Sequence, residues 1–407
     1  MARCRHLACF SEDLAGTRRT FLSPPMRDCH REIARWMEPL EAQVSVDAAG
    51  NFRGFYPAGQ SPAPRLLLGS HLDTVPNAGA YDGVVGVVLA IALLEALEGR
   101  KLPFGIEVVG FSEEEGVRFG TPFIGSRALV GTLDDQLLSR QDENCISVRQ
   151  AIEQFGLNPE EIPRASINPN TLAYIEFHIE QGPVLEELGY PLGIVEAIAG
   201  QSRLELTFLG HANHAGTTPM HLRHDAMAAA AEWIGEVEHK TKAVPGAVGT
   251  VGKLEVKHPA ANVIAGELHL TLDVRHGSDE IRNQIVSELM GKAEEMCKRR
   301  GLALRHSVLL SQAAVPMNEF LINEIDRAVQ KTGCVPHRMI SGAGHDAMIL
   351  AEKIPTSMVF LRTPGGRSHD PAEAVAPEDV EKAIECGLHL LDQLAASPVF
   401  LKRMVRA

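Results

Sequence analysis

The stretch Gly69-Ser70-His71-Leu72-Asp73-Thr74, with Tyr81-Asp82-Gly83 just beyond it, decides how this chain folds. The apolar run before it, at 65–68, is typical of a buried strand, and the apolar run at 83–94 is typical of a buried helix. His71 and Asp82 therefore bracket one strand-to-helix loop. In an open α/β sheet, such loops form the ligand crevice at the carboxyl ends of the strands. One imidazole and two carboxylates there predict a divalent metal site, with a solvated polar loop as the alternative.

Two further predicted strands lead into polar side chains in the same way. The strand predicted at 105–112 is followed by Glu113, Glu114 and Glu115, and His178 lies at the end of a strand predicted within 172–182. Adjacent loops at one edge of a sheet can converge on the same ions. The alternatives are a solvated acidic loop for the three glutamates and a structural role for His178.

Length, charge and cysteine content limit the class of protein. At 407 residues the chain is expected to form two domains. Its net charge of −13 argues against a nucleic-acid partner, which would favour a basic face. No apolar run is long enough to span a bilayer, and the N-terminal residues lack an apolar signal core. The seven cysteines are scattered without a CxxC pair, so we expect free thiols and a cytoplasmic location.

The pattern of predicted elements changes after Gly200. Between there and residue 310 it reads strand, helix, strand, strand, helix, strand, with clean alternation of apolar and polar residues at 267–275. The predicted fold is therefore α/β. We expect a mixed-sheet catalytic domain at 1–199 and 311–407, with an inserted βαββαβ domain of the ferredoxin-like type at 200–310. The single strand predicted at 249–256 belongs to this insertion.

Motifs in chain order then identify a family resemblance. They are GSHLDTV (69–75), YDG (81–83), SEEEGVRF (112–119), HIEQGP (178–183), GQSR (200–203), NHAGTTPM (213–220), SGAGHDA (341–347) and SHDPAE (368–373). Together they resemble the two-metal amidohydrolases of the aminoacylase and carboxypeptidase G superfamily. Within it, the chain is similar to the hydantoinase/carbamoylase branch. The resemblance implies a two-domain metallopeptidase-like fold whose inserted domain acts as a lid and makes a homodimer.

The resemblance also implies a set of metal ligands. They are His71, Asp82, Glu115, His178 and His369, which hold two divalent ions per subunit, Zn²⁺ or Mn²⁺, with Asp82 between the ions. Spacing alone does not decide which glutamate of the triplet is a ligand, and the branch pattern implies Glu115. It implies Glu114 as the general base. Asp73 matches a carboxylate that holds the His71 ring, with a turn-capping role as the alternative.

The resemblance implies substrate contacts as well. Arg203, Asn262 and Arg275 match substrate-binding positions, and Gln181 and His345 are expected to line the pocket. His214 matches a donor to the oxyanion that develops during hydrolysis. Arg275 suits a substrate carboxylate because a guanidinium binds that group in a bidentate manner, although a surface ion pair is the plain alternative.

The expected reaction is hydrolysis of a ureido C–N bond in a small anionic substrate. Two divalent ions activate a water, Glu114 moves its proton to the leaving nitrogen, and domain closure accompanies the reaction. Allantoate is the expected substrate, and an N-carbamoyl-L-amino acid is the alternative. A binding module without activity is disfavoured because all five ligand positions and the base are filled. A peptidase is disfavoured because GQSR and NHAGTTPM belong to the ureido branch.

Overall fold

The structure is a computed structural model that describes residues 1–402. Its strands are β1 (Gln43–Val46), β2 (Phe52–Tyr56), β3 (Arg65–His71), β4 (Gly105–Phe111), β5 (Thr171–Ile179), β6 (Leu192–Ile198), β7 (Gly200–Leu209), β8 (Asn213–His214), β9 (Val248–Thr250), β10 (Leu254–Val256), β11 (Val263–Ile264), β12 (Glu267–His276), β13 (Ala303–Gln312), β14 (Val315–Pro316), β15 (Arg338–Ser341) and β16 (Thr356–Leu361).

The helices occupy most of the connections between these strands. They are α1 (Ala2–Ala8), α2 (Pro24–Met37), α3 (Val84–Ala96), α4 (Ile124–Val130), α5 (Asp135–Leu138), α6 (Val148–Gln154), α7 (Val184–Leu188), α8 (Ala226–Lys242), α9 (Asp279–Arg300), α10 (Glu319–Lys331), α11 (Asp346–Leu350), α12 (Pro377–Ala396) and α13 (Pro398–Leu401). None of the helices in residues 1–402 is both long enough and apolar enough to cross a membrane. The predicted α/β class is confirmed.

The chain forms two compact units. The first comprises Met1–Glu196, Met317–Met339 and the described part of Gly344–Ala407, and the second comprises Ala197–Pro316 with Ile340–Ala343. The division expected from the sequence, with an insertion at 200–310 that acts as a lid and dimerisation domain, stays a prediction.

A nine-stranded mixed sheet organises the first unit. Its order is β1-β2-β4-β3-β5-β16-β6-β14, with β15 also paired to β6. The four central strands β4, β3, β5 and β16 are parallel, and antiparallel strands flank them on both sides. Since both faces of a parallel sheet are covered, its strands are apolar throughout rather than alternating. β4 accordingly is buried at every position.

The first two turns of the helix after β3 are apolar on every side because they are buried on every side. α3 packs against β3, β5 and α12, and its residues Val84 to Ile91 are all buried. Its close approach to β5 requires glycine, because a Cβ on Gly86 would lie 2.2 Å from the carbonyl oxygen of Phe177. This packing fixes the loop that joins β3 to α3 over the carboxyl ends of the central strands.

The second unit contains a five-stranded antiparallel sheet. Its order is β10-β12-β7-β13, with β9 also paired to β12. The predicted alternation on β12 is present: Leu268, Leu270, Leu272 and Val274 are buried in one cluster with residues of α8 and α9. Trp233 of α8 lies in the same cluster, and its indole N–H donates to the carbonyl oxygen of Leu289 at 2.8 Å.

One strand prediction in this unit is wrong. Residues 249–256 form two short strands, because the register shifts between them: Thr250 pairs with Asp273, whereas Leu254 pairs with Leu270. The four residue steps from Thr250 to Leu254 therefore lie opposite three residue steps on β12, which indicates a β-bulge. Apolar alternation does not report such an extra residue. Strands β6 and β15 were not predicted from the sequence either.

Candidate metal centre

The carboxyl ends of the central parallel strands bring the candidate ligands together. His71 is the last residue of β3, His178 is the last but one of β5, and Glu115 lies in the loop after β4. Asp82 lies in the loop between β3 and α3, and His369 lies in the loop after β16. All five belong to the first unit. Residues so far apart in sequence meet here because the carboxyl ends of parallel strands lie at the same edge of the sheet.

Asp82 lies at the centre of the cluster. Its Oδ1 atom is 3.6 Å from Nε2 of His71 and 3.3 Å from Nε2 of His178. Its Oδ2 atom is 3.4 Å from Nε2 of His369, and that nitrogen is 3.5 Å from Oε1 of Glu115. Two groups therefore share one carboxylate: His71 with His178 on one oxygen, and His369 with Glu115 on the other.

The hydrogen bonds of the two buried imidazoles point their other nitrogens into the cluster. Nδ1 of His71 donates to the carbonyl oxygen of Asp73, and Nδ1 of His178 donates to that of Ile179, both at 2.9 Å. A carbonyl accepts only, so each Nδ1 carries a proton. The two Nε2 atoms then lie 3.3 Å apart. Such an arrangement of converging donors is the one that a cation requires, and it fits a divalent metal.

The charges of the cluster support the same fit. Burial and the charge of Asp82 raise the pKa of Glu115 to about 7. Burial lowers the pKa of His178 to about 4. Burial also opposes ionisation of Asp82, but hydrogen bonds from His369 and His71 hold its pKa well below the ordinary value. The first unit thus concentrates carboxylates in a buried space, and a divalent cation would relieve their repulsion.

Two buried carboxylates hold the loops that carry these residues. Asp73 accepts the backbone N–H groups of Glu114 and Glu115, at 2.9 and 3.0 Å. Its Oδ1 atom is 3.8 Å from Nδ1 of His71, so the ring is bonded to the Asp73 carbonyl rather than to its carboxylate. Oε1 of Glu373 accepts the backbone N–H groups of Tyr81 and Asp82, at 2.8 and 2.9 Å.

Gly83 allows His71 to take its position. The residue has φ of +65°, a conformation that L side chains rarely adopt, and a Cβ built on it would lie 2.4 Å from the imidazole of His71. The glycine of the YDG motif is therefore required both by its backbone conformation and by the ring beside it.

Glu114 lies beside the cluster without belonging to either group that shares Asp82. It is buried, and it faces His71 and Glu115 closely enough to form a further possible cation group with them. Burial raises the pKa of Glu114 well above its ordinary value, with the charge of Glu115 adding to the effect against the charge of His71. A carboxyl group whose pKa is raised in this way suits proton transfer near neutral pH.

Gln181 and His345 also lie at the cluster. Nε2 of Gln181 donates to both carboxylate oxygens of Asp82, at 3.1 and 2.9 Å. The His345 ring packs edge-on against the His178 ring, with centroids 4.6 Å apart, and burial lowers the pKa of His345 well below its ordinary value. Both residues thus contact metal-ligand candidates directly.

The remaining predicted site residues belong to the second unit. His214 and Asn262 are exposed and lie next to each other, because β8 pairs with β11 and the carbonyl of Asn262 accepts the N–H of Ala215 at 2.9 Å. Arg203 and Arg275 both bind the carboxylate of Asp273. The structure therefore groups the predicted residues by unit: eight side chains and Asp73 in the first, four in the second.

Three polar residues at the cluster were missed by the sequence analysis. Glu373 holds the Asp82 loop, Ser368 donates from Oγ to Oδ2 of Asp82 at 2.8 Å, and Glu176 accepts from Ser70 at 2.7 Å beside His178. A signal existed for each. Glu373 and Ser368 lie within SHDPAE, and Glu176 is two residues before His178, hence on the same face of β5.

Comparisons with known proteins agree with this architecture. Residues 67–393 match peptidase family M20/M25/M40. The chain is 40% identical over 366 residues to an N-carbamoyl-L-amino acid amidohydrolase of Geobacillus stearothermophilus, covering 89% of this chain and 90% of that protein. It is 36% identical to a probable allantoate deiminase of Oryza sativa subsp. japonica, covering 97% of this chain and 87% of that one.

A solved structure shows the same fold. The chain superposes on a hydantoinase/carbamoylase family amidase from Burkholderia multivorans with a TM-score of 0.90 and 30% identity, covering 98% of this chain and 97% of that one. The resemblance inferred from the motifs is thereby confirmed. The chain belongs to peptidase family M20/M25/M40, in its hydantoinase/carbamoylase branch, and is a hydrolase of C–N bonds.

Proposed function

We propose that the chain hydrolyses the ureido C–N bond of allantoate with two divalent ions bound at the shared-carboxylate cluster. The observation that carries this proposal is Asp82, whose two oxygens face two separate groups of ligand atoms. His71, His178 and Asp82 are the proposed ligands of one ion, and Asp82, Glu115 and His369 those of the other. Imidazole and carboxylate ligands suit Zn²⁺, and Mn²⁺ is the second candidate.

The chain's own residues have separate tasks in this proposal. Bound divalent ions would lower the pKa of water and polarise the ureido carbonyl. Glu114 takes a proton from the attacking water and gives it to the leaving nitrogen as the C–N bond breaks. His214 donates to the developing oxyanion. Arg275, with Arg203, binds the substrate carboxylate, and Asn262 is a further proposed substrate contact. The released carbamate decays to ammonia and carbon dioxide.

A second candidate function is hydrolysis of an N-carbamoyl-L-amino acid. The identity with the Geobacillus amidohydrolase favours it, whereas the plant relatives favour allantoate because they align over more of this chain. Both substrates carry a carboxylate and a ureido group, so the same residues would act on either.

The test measures ammonia release by the purified protein after loading with Zn²⁺ or Mn²⁺. Allantoate and N-carbamoyl-L-methionine are supplied over the same concentration range, and Glu114→Gln is the control. We expect the higher kcat/KM with allantoate. A higher value with N-carbamoyl-L-methionine would favour the second candidate. Absence of ammonia from both substrates, with two ions bound per chain, would contradict the proposed function.

We also propose a cytoplasmic homodimer that forms through the second unit. The seven free cysteines support a reducing compartment, and the family resemblance supports the dimer. Light scattering coupled to size-exclusion chromatography measures the mass in solution. A single species near the 44.1 kDa of one chain would contradict the dimer.

A further inference from the structure

The second unit has a cavity that three charged side chains dominate. Its volume is about 470 Å³, and the charged residues among its described lining are Arg203, Asp273 and Arg275. Thr250 and Thr271 line the same cavity. Two guanidinium groups and one carboxylate leave a net charge of plus one on this lining.

Strand pairing brings the three charged groups together. Asp273 on β12 pairs directly with Arg203 on β7, and Arg275 follows Asp273 by two positions on the same strand. Residues two apart on a strand lie on one face, so both arginines reach the same carboxylate. Nε and Nη2 of Arg203 donate to Oδ2 of Asp273 at 3.2 and 2.9 Å. Gln201 donates to the same oxygen.

The hydrogen bonds of Arg275 orient its guanidinium further. Nε donates to Oδ1 of Asp273 at 3.0 Å, Nη2 to Oδ2 at 3.3 Å, and Nη1 to the carbonyl oxygen of Gly342 at 2.7 Å. These bonds use three of the five N–H groups that an arginine carries. One N–H on each terminal nitrogen is therefore left to bind a ligand.

Asp273 is ionised in this setting. Burial opposes its ionisation, but hydrogen bonds from Arg275 and Arg203 hold the pKa of the carboxyl group below its ordinary value. The side chain of Asp273 is 19% exposed, against 44% for Arg203 and 35% for Arg275. The carboxylate is thus the inner member of the trio, and the arginines are accessible to a ligand from solvent.

We propose that Asp273 is a positioning and specificity residue: it fixes Arg203 and Arg275 in the orientation that binds one carboxylate, and it limits the cavity to a single net positive charge. The inference rests on the proposed function, because the carboxylate in question is that of the ureido substrate. A cavity with one net positive charge is neutralised by one carboxylate. Removing the Asp273 charge frees both arginines and doubles the net charge, which should favour ligands with two negative charges.

The test measures binding and turnover for the same set of substitutions. Asp273→Asn, Asp273→Glu and the matched control Glu205→Gln are compared with the wild type; Glu205 lies on β7 but does not line this cavity. Calorimetry measures the Kd of N-carbamoyl-L-methionine for the metal-loaded proteins, each carrying Glu114→Gln so that turnover is blocked. We expect Asp273→Asn to raise this Kd and the KM about 10- to 100-fold, with kcat changed less than about threefold. Asp273→Glu should restore part of the affinity, and Glu205→Gln should stay within about twofold of the wild type.

Charge preference is the readout that a merely structural role would not change. The ratio of Kd for N-carbamoyl-L-aspartate to Kd for N-carbamoyl-L-methionine should fall in Asp273→Asn. An unchanged ratio, a loss of kcat at unchanged KM, or an equal effect of Glu205→Gln would overturn the proposal. Absence of turnover in the wild type would contradict the proposed function alone, because the calorimetric comparison would still decide the role of Asp273.

Discussion

The metal centre of the first unit and the charged cavity of the second use similar side chains but support them in different ways. In the first unit, His71 and Asp82 have side chains 2% and 3% exposed, and buried carboxylates hold the backbone of their loops. In the second unit, the side chains of Arg203 and Arg275 are a third or more exposed, and both are held by the carboxylate of Asp273. Buried hydrogen bonds therefore fix the positions of the metal-ligand candidates in the first unit. In the second unit, the positions of the two arginines depend on their ion pairs with Asp273. Substitutions of the metal-ligand candidates should change metal binding and kcat, whereas substitutions of Asp273 and its two arginines should chiefly change substrate binding.

The largest effect is expected at Glu114. Glu114→Gln should lower kcat by roughly 10²- to 10⁴-fold, because the amide cannot accept the proton of the attacking water. Metal content should stay at the wild-type value, since neither group that shares Asp82 includes Glu114. Steady-state kinetics and elemental analysis measure the two quantities.

The neighbouring Glu115→Gln is the control for that prediction. It removes a carboxylate that faces His369, so it should lower metal content as well as kcat. Turnover of Glu114→Gln near the wild-type rate, or equal metal loss in both variants, would show that the roles of the two glutamates are wrongly assigned.

The next largest effect tests the second unit. His214→Ala should lower kcat about 10²- to 10³-fold, the usual cost of losing one donor to an oxyanion. Metal content should not change, because His214 belongs to the other unit. His306→Ala, at an exposed position of β13, is the matched control and should leave kcat unaltered. A loss of metal in His214→Ala would remove the contrast between the units.

Glu373 tests whether buried carboxylates preset the metal centre. Glu373→Ala removes the acceptor for the backbone N–H groups of Tyr81 and Asp82. Metal affinity, measured by competition with a chelator, should fall about 10- to 100-fold. Glu378→Ala, on the exposed first turn of α12, should have no effect. Equal affinity of Glu373→Ala and wild type would mean that the Asp82 loop keeps its geometry without this tether.

The last prediction concerns stability away from the metal centre. His30 is buried between Phe52 and Phe155, and burial lowers its pKa to about 3. The unfolded chain takes up this proton near the ordinary pKa of about 6.5, so the contribution to stability is complete above that pH. It should decline as pH falls from about 6.5 towards 3, by up to about 1.4 kcal/mol per pH unit.

His30→Phe should remove this part of the pH dependence. Unfolding of the metal-free protein by denaturant, at a series of pH values between 4 and 8, gives the slope for each protein. Parallel curves for His30→Phe and the wild type would show that His30 is not a source of acid sensitivity in the first unit.

The contrast between the units also explains what the sequence could predict. His71, Asp82 and His178 lie at or just after the carboxyl ends of apolar strands. Because parallel strands end at one edge of the sheet, their proximity can be predicted without knowing the strand register. The ion pair between Asp273 and Arg203 depends on which residues pair across β12 and β7. The apolar pattern does not reveal this pairing. The register shift that divides 249–256 into β9 and β10 is invisible for the same reason. Glu373 was missed because it acts by accepting backbone N–H groups, a role that its place in the SHDPAE motif does not specify.

Gly83 has a consequence for how the motif tolerates change. A single methyl group at Gly83 would collide with the His71 ring at 2.4 Å. The position that lacks a side chain is therefore as restrictive as those that provide one. In engineering terms, Gly83→Ala is a way to disable the centre while leaving every donor atom in the chain.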